Sequence, residues 1–175
     1  MSQLPEFSRP VRTDTLGAAP RTMAIEADEG ERAALALRFG LPAIHRLSAE
    51  ARLSRQGDAT LAEGRLAAAV TQSCVATGEP VEAELDDAFR IEFRPQPAPA
   101  AEDEIELAET ELDIVFYDGA SIDLGEAVAE TLSLSLDPWP RVPNADALLR
   151  EAGVKGEEEV GPFAALAALK DKLKK

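Results

Sequence analysis

The chain reads as one α+β domain: a mainly antiparallel β-sheet, two or three packing helices and a mobile C-terminal tail. Three observations predict this. Apolar residues recur at spacing two in several stretches before residue 117, the period of half-buried strands. Two stretches of helical period each open on an aspartate with a glutamate three residues later, at Asp28–Glu31 and Asp123–Glu126, the signature of a capping box. A chain of 175 residues and 18.7 kDa buries about 70% of its unfolded surface, enough for one core. With 45% hydrophobic residues but only 5% aromatics, that core is aliphatic and modest in volume. Residues 1–21 read as an N-terminal extension, 22–152 as the domain, and 153–175 as a linker with an amphipathic helix.

In order along the chain, Met23 and Ile25 alternate with Ala24 and Glu26 as a short strand. Asp28 caps a helix over 29–39, and Gly40 stands where a helix end takes a left-handed residue. Leu41, Ile44, Leu47 and Leu53 lead to Gly57–Asp58, and Leu61, Glu63 and Arg65 alternate beyond it, so two antiparallel strands meet at a turn near Gly57. After a turn at Thr77–Pro80, Val81, Ala83, Leu85, Phe89, Ile91 and Phe93 face one way, with Glu82, Glu84, Arg90 and Glu92 opposite. This is the clearest strand. Prolines and acids fill the loop at 95–110, which can neither complete a hydrogen-bond ladder nor bury apolar surface. Leu112, Ile114, Val115 and Phe116 form a strand closed by Asp118–Gly119, and Leu124, Val128, Leu132 and Leu136 mark a helix from Asp123 that Pro138 ends. A short helix follows near 146–152. At the end Phe163, Leu166, Leu169 and Leu173 share a helical face with lysines at its C-terminus.

The net charge of -15 is concentrated. Residues 1–65 hold nine acids and nine bases, and 146–175 six of each, whereas 66–145 set eighteen acids against Arg90, Arg94 and Arg141. That field repels phosphate backbones and attracts basic proteins; its plainer reading is solubility. Cys74 is the only cysteine, so no intramolecular disulfide forms, and a reducing compartment suits it. No window approaches the ~18 apolar residues of a membrane span. The chain reads as soluble and cytoplasmic.

Three stretches carry a resemblance. They are Cys74 and Val75 through Pro80–Val81 to Phe89 and Phe93; the acidic loop into Glu111, Leu112 and Asp113; and Ile122–Asp123–Leu124 followed by Val128, Glu130, Leu132, Leu134 and Asp137–Pro138–Trp139–Pro140. In this order and spacing, with Pro162–Phe163–Ala164 near the end, they resemble the YceD family over roughly residues 20–175. The resemblance implies a role in accumulation of large-subunit ribosomal RNA and no chemistry of its own. Many members of that family carry further cysteines that look like a zinc site. Here Cys74 and His45 are the only Cys or His residues, fewer than the about four ligands of a tetrahedral structural site, so no zinc and no cofactor are expected.

Catalytic readings are outweighed by bland ones. Asp113, Asp118 and Asp123 sit five apart, as metal-binding carboxylates could, but a turn accounts for Asp118 and a helix cap for Asp123. His45 lies in a strand as a surface or interface histidine, and Cys74 is a small buried residue without the positive surroundings of a reactive thiolate. No GxxxxGK[ST] or GxGxxG segment is present. Arg46, Arg52, Arg55 and Arg65 could line adjacent strands against RNA, but their sector is balanced by acids. Trp139, between two prolines and beside Arg141, reads first as closing the core and second as an exposed anchor. The expectation is a non-enzymatic factor that binds a basic ribosomal protein or pre-ribosomal particle through Glu82, Glu84 and Glu92, with Trp139 and Arg141 as further contacts. Direct RNA binding or processing is the alternative.

Overall fold

The computed structural model describes residues 5–96 and 113–154. Nearly all of the proline-acid loop and the C-terminal amphipathic segment therefore lie outside the described residues. The elements in chain order are β1 (Pro10–Arg12), a 3-10 turn (Thr13–Thr15), β2 (Arg21–Glu26), α1 (Glu29–Phe39), β3 (Ala43–Gln56), β4 (Ala59–Ser73), β5 (Pro80–Pro95), β6 (Asp113–Tyr117), β7 (Ser121–Asp123), α2 (Leu124–Ser135) and α3 (Ala145–Glu151). By contacts the chain divides into two compact units, Met1–Gln72 with Glu82–Asp137, and Ser73–Val81 with Pro138–Lys175.

The larger unit is a sheet with strand order β2-β3-β4-β5-β6 and a two-stranded ribbon β1-β7. β2 and β4 both pair antiparallel with β3. Side chains bridge β4 and β5 at Thr71–Glu82, Arg65–Asp86 and Glu63–Arg90; one number falls as the other rises, as antiparallel neighbours require. β6 departs from this pattern and runs parallel to β5, from Ile91↔Asp113 to Pro95↔Tyr117. A parallel neighbour needs a crossover of a dozen or more residues, and residues 96–112 supply that length.

Local chemistry sets the helices. At α1 the Asp28 side chain accepts from Glu31 N, the Glu31 carboxylate accepts from Asp28 N, and Gly40 closes the helix at φ 66°. At α2 Asp123 accepts from Glu126 N at 3.1 Å. The expected return bond is replaced, because the Glu126 carboxylate takes both guanidinium NH2 groups of Arg38 at 2.9 and 2.7 Å. A bidentate arginine pair outcompetes a single amide donor. One sheet face and the two helices enclose Leu47, Leu53, Leu66, Val70, Ile91 and Phe93 with Leu35, Val128 and Leu132.

Residues 5–16 also belong to this core. Phe7 is fully buried, and Val11 and Leu16 are buried with it. Asp123 holds the segment in place: its carboxylate accepts from Arg9 N at 2.8 Å and from the Ser8 hydroxyl. Gly125 makes the approach possible, since a Cβ there would lie 2.0 Å from the Phe7 carbonyl oxygen.

The described part of the smaller unit is tied by backbone bonds around Cys74. Cys74 N donates to Glu79 O at 2.7 Å, Gly78 N to Cys74 O at 2.8 Å, and Val75 N to Pro140 O at 2.9 Å. Gly78, at φ 75°, makes the turn.

Candidate functional site

On β5 the even-numbered side chains from Glu82 to Arg94 face away from the core, alternating with Leu85, Phe89, Ile91 and Phe93. This face is not uniformly acidic. Arg65 donates from Nε and Nη2 to Asp86 at 3.0 and 2.8 Å, Arg90 pairs with Glu63 at 3.1 Å, and Arg94 with Glu92 at 2.8 Å. Glu92, expected as a free acidic contact, is neutralised by Arg94 two residues on, where side chains at i and i+2 share a strand face. Its side chain is only 19% exposed. Glu82 and Glu84 remain on the exposed row.

His45 occupies a β-bulge. Ile44 pairs with Val70 and Arg46 with Ala69, leaving His45 opposite no residue of β4, and a bulge of this kind re-aims its side chain. The Nε2 atom lies 2.7 Å from the Thr71 hydroxyl, which donates to Glu82 at 2.8 Å, and 3.4 Å from the Glu82 carboxylate. A catalytic triad places the imidazole between nucleophile and carboxylate. Here the hydroxyl occupies the middle, so its single proton goes to Glu82 and His45 donates to Thr71. The cluster staples three strands rather than activating a nucleophile.

The carboxylates considered for metal are dispersed. Asp123 is filled by three donors from Ser8, Arg9 and Glu126, and Asp113 opens β6. Among the described residues no three His, Cys, Asp or Glu side chains cluster as ligands would. None of the described helices is long and apolar enough to cross a membrane.

In the smaller unit Cys74 is buried, 2% exposed. Its thiol is brought down to about 7, first by a hydrogen bond from the Thr77 side chain and then by the backbone N–H groups of Val142, Ala76 and Thr77, against the opposing effect of burial. Sequence reasoning sought positive side chains and missed these amide dipoles. Trp139 does not close the core: it is 72% exposed, while the neighbouring Pro140 is buried and supplies the carbonyl for Val75. The Pro–Trp–Pro run directs its second proline inward. Arg141 is paired with Asp146 at 2.7 Å. The proposed contacts thus fall into two units, Glu82, Glu84 and Glu92 in one and Trp139 and Arg141 in the other. The residues of the resemblance are mostly architectural: Phe89 and Phe93 are buried core, Pro80 opens β5 with Val81 half-buried beside it, Asp123 is a cap, and Pro138 is exposed at the end of the α2 segment.

A family model described as large ribosomal RNA subunit accumulation protein YceD matches residues 62–170. No curated protein sequence and no solved structure matches the chain.

Proposed function

The chain belongs to the YceD family of large ribosomal RNA subunit accumulation proteins, and from that premise we propose that it is a cytoplasmic accessory factor of ribosome biogenesis. It performs no chemistry. It holds a basic ribosomal protein, free or in a pre-ribosomal particle, against its acidic surface, and so favours accumulation of the large-subunit RNA.

The distribution of ion pairs carries this reading. Arg9, Arg12, Arg38, Arg65, Arg90, Arg94 and Arg141 each pair with a carboxylate of this chain. Glu26, Glu50, Glu84 and Asp87 have no ion pair among the described residues, and Glu26, Glu50 and Glu84 are exposed. These pairs take up about half of the described arginines, and because acids outnumber bases by fifteen over the chain, unpaired carboxylates remain in excess, a surface field that favours basic partners and steers their approach.

One observation favours direct RNA contact as a second reading: Arg46 and Arg52 stand exposed on β3 without an ion pair among the described residues. Glu50 lies between them in sequence and projects to the same face as Arg52, which weakens any phosphate track there.

The cellular test is the ratio of large- to small-subunit ribosomal RNA in cells lacking the protein. The ratio falls and is restored by the wild-type chain, but not by a chain carrying glutamine at the unpaired glutamates. Full restoration by the neutralised chain rules out acidic capture.

A further inference from the structure

Resting on that reading, we propose that the basic partner is anchored by an arginine side chain in a recess on the open face of the sheet, between Glu26 and Glu50. The recess has a volume of about 480 Å³ and lies over β2, β3 and β4, with Asp86 of β5 at its margin.

The strand register builds it. Across one row stand Ala24, Glu50 and Arg65, and across the next Glu26, Ser48 and Ala67. The small residues Ala24, Ser48 and Ala67 form a floor on which nothing projects. Glu26 and Glu50 stand at its edge as diagonal neighbours on adjacent strands, close enough for long side chains to reach a common ligand.

Arg65, the one cation at the margin, is turned toward β5, with both Nε and Nη2 on Asp86 Oδ1. Neither Glu26 nor Glu50 has an ion pair among the described residues, and the cation beside Glu50 on its own strand face is Arg52, outside the recess. Within the larger unit α1 and α2 pack on the other face with the core, which leaves this face uncovered by its own helices.

The chemistry of the seat favours one cation. A guanidinium is flat and weakly hydrated and carries donors on two edges, so it can lie on the small-residue floor and serve both carboxylates at once. An ammonium is a compact, strongly hydrated point charge without that planar face. The apolar stem of the incoming arginine lies on Ala24 and Ala67. Glu82 and Glu84 farther along β5 then contribute long-range attraction rather than the seat.

The test titrates an arginine–alanine repeat peptide, and its lysine counterpart, into the isotope-labelled full chain while amide resonances are followed. The expected result is shifts centred on Ala24, Ser48 and Ala67, with tighter binding of the arginine peptide. The exposed substitutions E26Q and E50Q together weaken it by about tenfold, A67L blocks it, and E84Q changes it by less than about twofold. Far-UV circular dichroism checks that each variant is folded.

Shifts centred elsewhere, or unchanged affinity in the folded E26Q/E50Q chain, overturn the recess. If that chain also still captures basic ribosomal proteins, the recess alone has failed and acidic capture stands. If the wild-type chain captures none, both fail.

Discussion

Gly30 and Gly125 occupy the same place in two helices, the second residue of α1 and of α2, and alanine should have opposite effects at the two. At Gly30 a new Cβ would meet only the Asp28 carboxylate oxygen, at an ordinary contact of 3.4 Å. Alanine there stabilises by up to about 1 kcal/mol through reduced backbone freedom. At Gly125 the Cβ would sit 2.0 Å from the Phe7 oxygen and 3.0 Å from Arg9 N. Both are backbone atoms, so relief requires the whole 7–9 segment to retreat by more than an ångström. Overpacking of this kind costs about 1–3 kcal/mol. The retreat also erodes burial of Phe7, a side chain whose full burial is worth about 1.5–3 kcal/mol. After subtracting the helix gain of about 0.5–1 kcal/mol, Gly125→Ala should destabilise by about 2–4 kcal/mol. Urea unfolding gives the free energy directly, and the melting temperature should fall by roughly 5–15 °C. A Gly125→Ala protein as stable as wild type, or a Gly30→Ala protein destabilised as much, would refute the close packing of the N-terminal segment on α2.

Four further outcomes follow from named contacts. Asp123→Ala removes the acceptor for Ser8, Arg9 and Glu126 together and should cost about 2–3 kcal/mol in urea unfolding, whereas loss of a solvated turn residue would cost almost nothing. The Glu31 carboxyl is held below its usual 4.5, first by the Arg9 hydrogen bond and against burial; its stabilising effect is complete above that value and lost as pH falls through the folded pKa. The acid limb of the urea midpoint should therefore flatten in Glu31→Gln, and an unchanged limb would remove the pair from the account. Thr77→Val should raise the pH at which the Cys74 thiol alkylates, because the Thr77 hydrogen bond is the leading cause of its lowered pKa; no change would contradict that cause. Fluorescence of the sole tryptophan should be red-shifted and readily quenched by acrylamide, as a 72% exposed Trp139 requires, and a blue-shifted, protected emission would return it to the core.

Elements specified by neighbouring residues could be read from the sequence. Helix 29–39 carries its cap, its partner glutamate and its terminal glycine within thirteen positions of one another, and β5 carries its own period of two. What depends on distant partners could not. Phe7, Val11 and Leu16 have no regular spacing, and they join the core because β1 pairs with β7 more than a hundred residues away. The parallel setting of β6 depends on the path of a long crossover, which no local pattern encodes. In the candidate site, Glu82 and Glu84 were readable as an exposed acidic row, but the neutralisation of Glu92 by Arg94 and the bulge at His45 depend on rotamer and register. The recess beside Glu26 and Glu50 needed the β2–β3 register, which joins residues that the sequence places in separate strands. Trp139 was misjudged because a lone aromatic between prolines is as compatible with a core plug as with an exposed knob, and only the Val75–Pro140 backbone bond shows which residue turns inward.

The most direct measurement is affinity capture by the full chain from a bacterial lysate, at low and moderate salt, with bound protein and RNA identified separately before and after nuclease treatment. Acidic capture predicts that one or a few basic large-subunit ribosomal proteins remain bound after nuclease and are released as salt shortens the screening length below about 10 Å. Recovery of RNA-dependent material alone would contradict it and leave the arginines of β3 as the working surface.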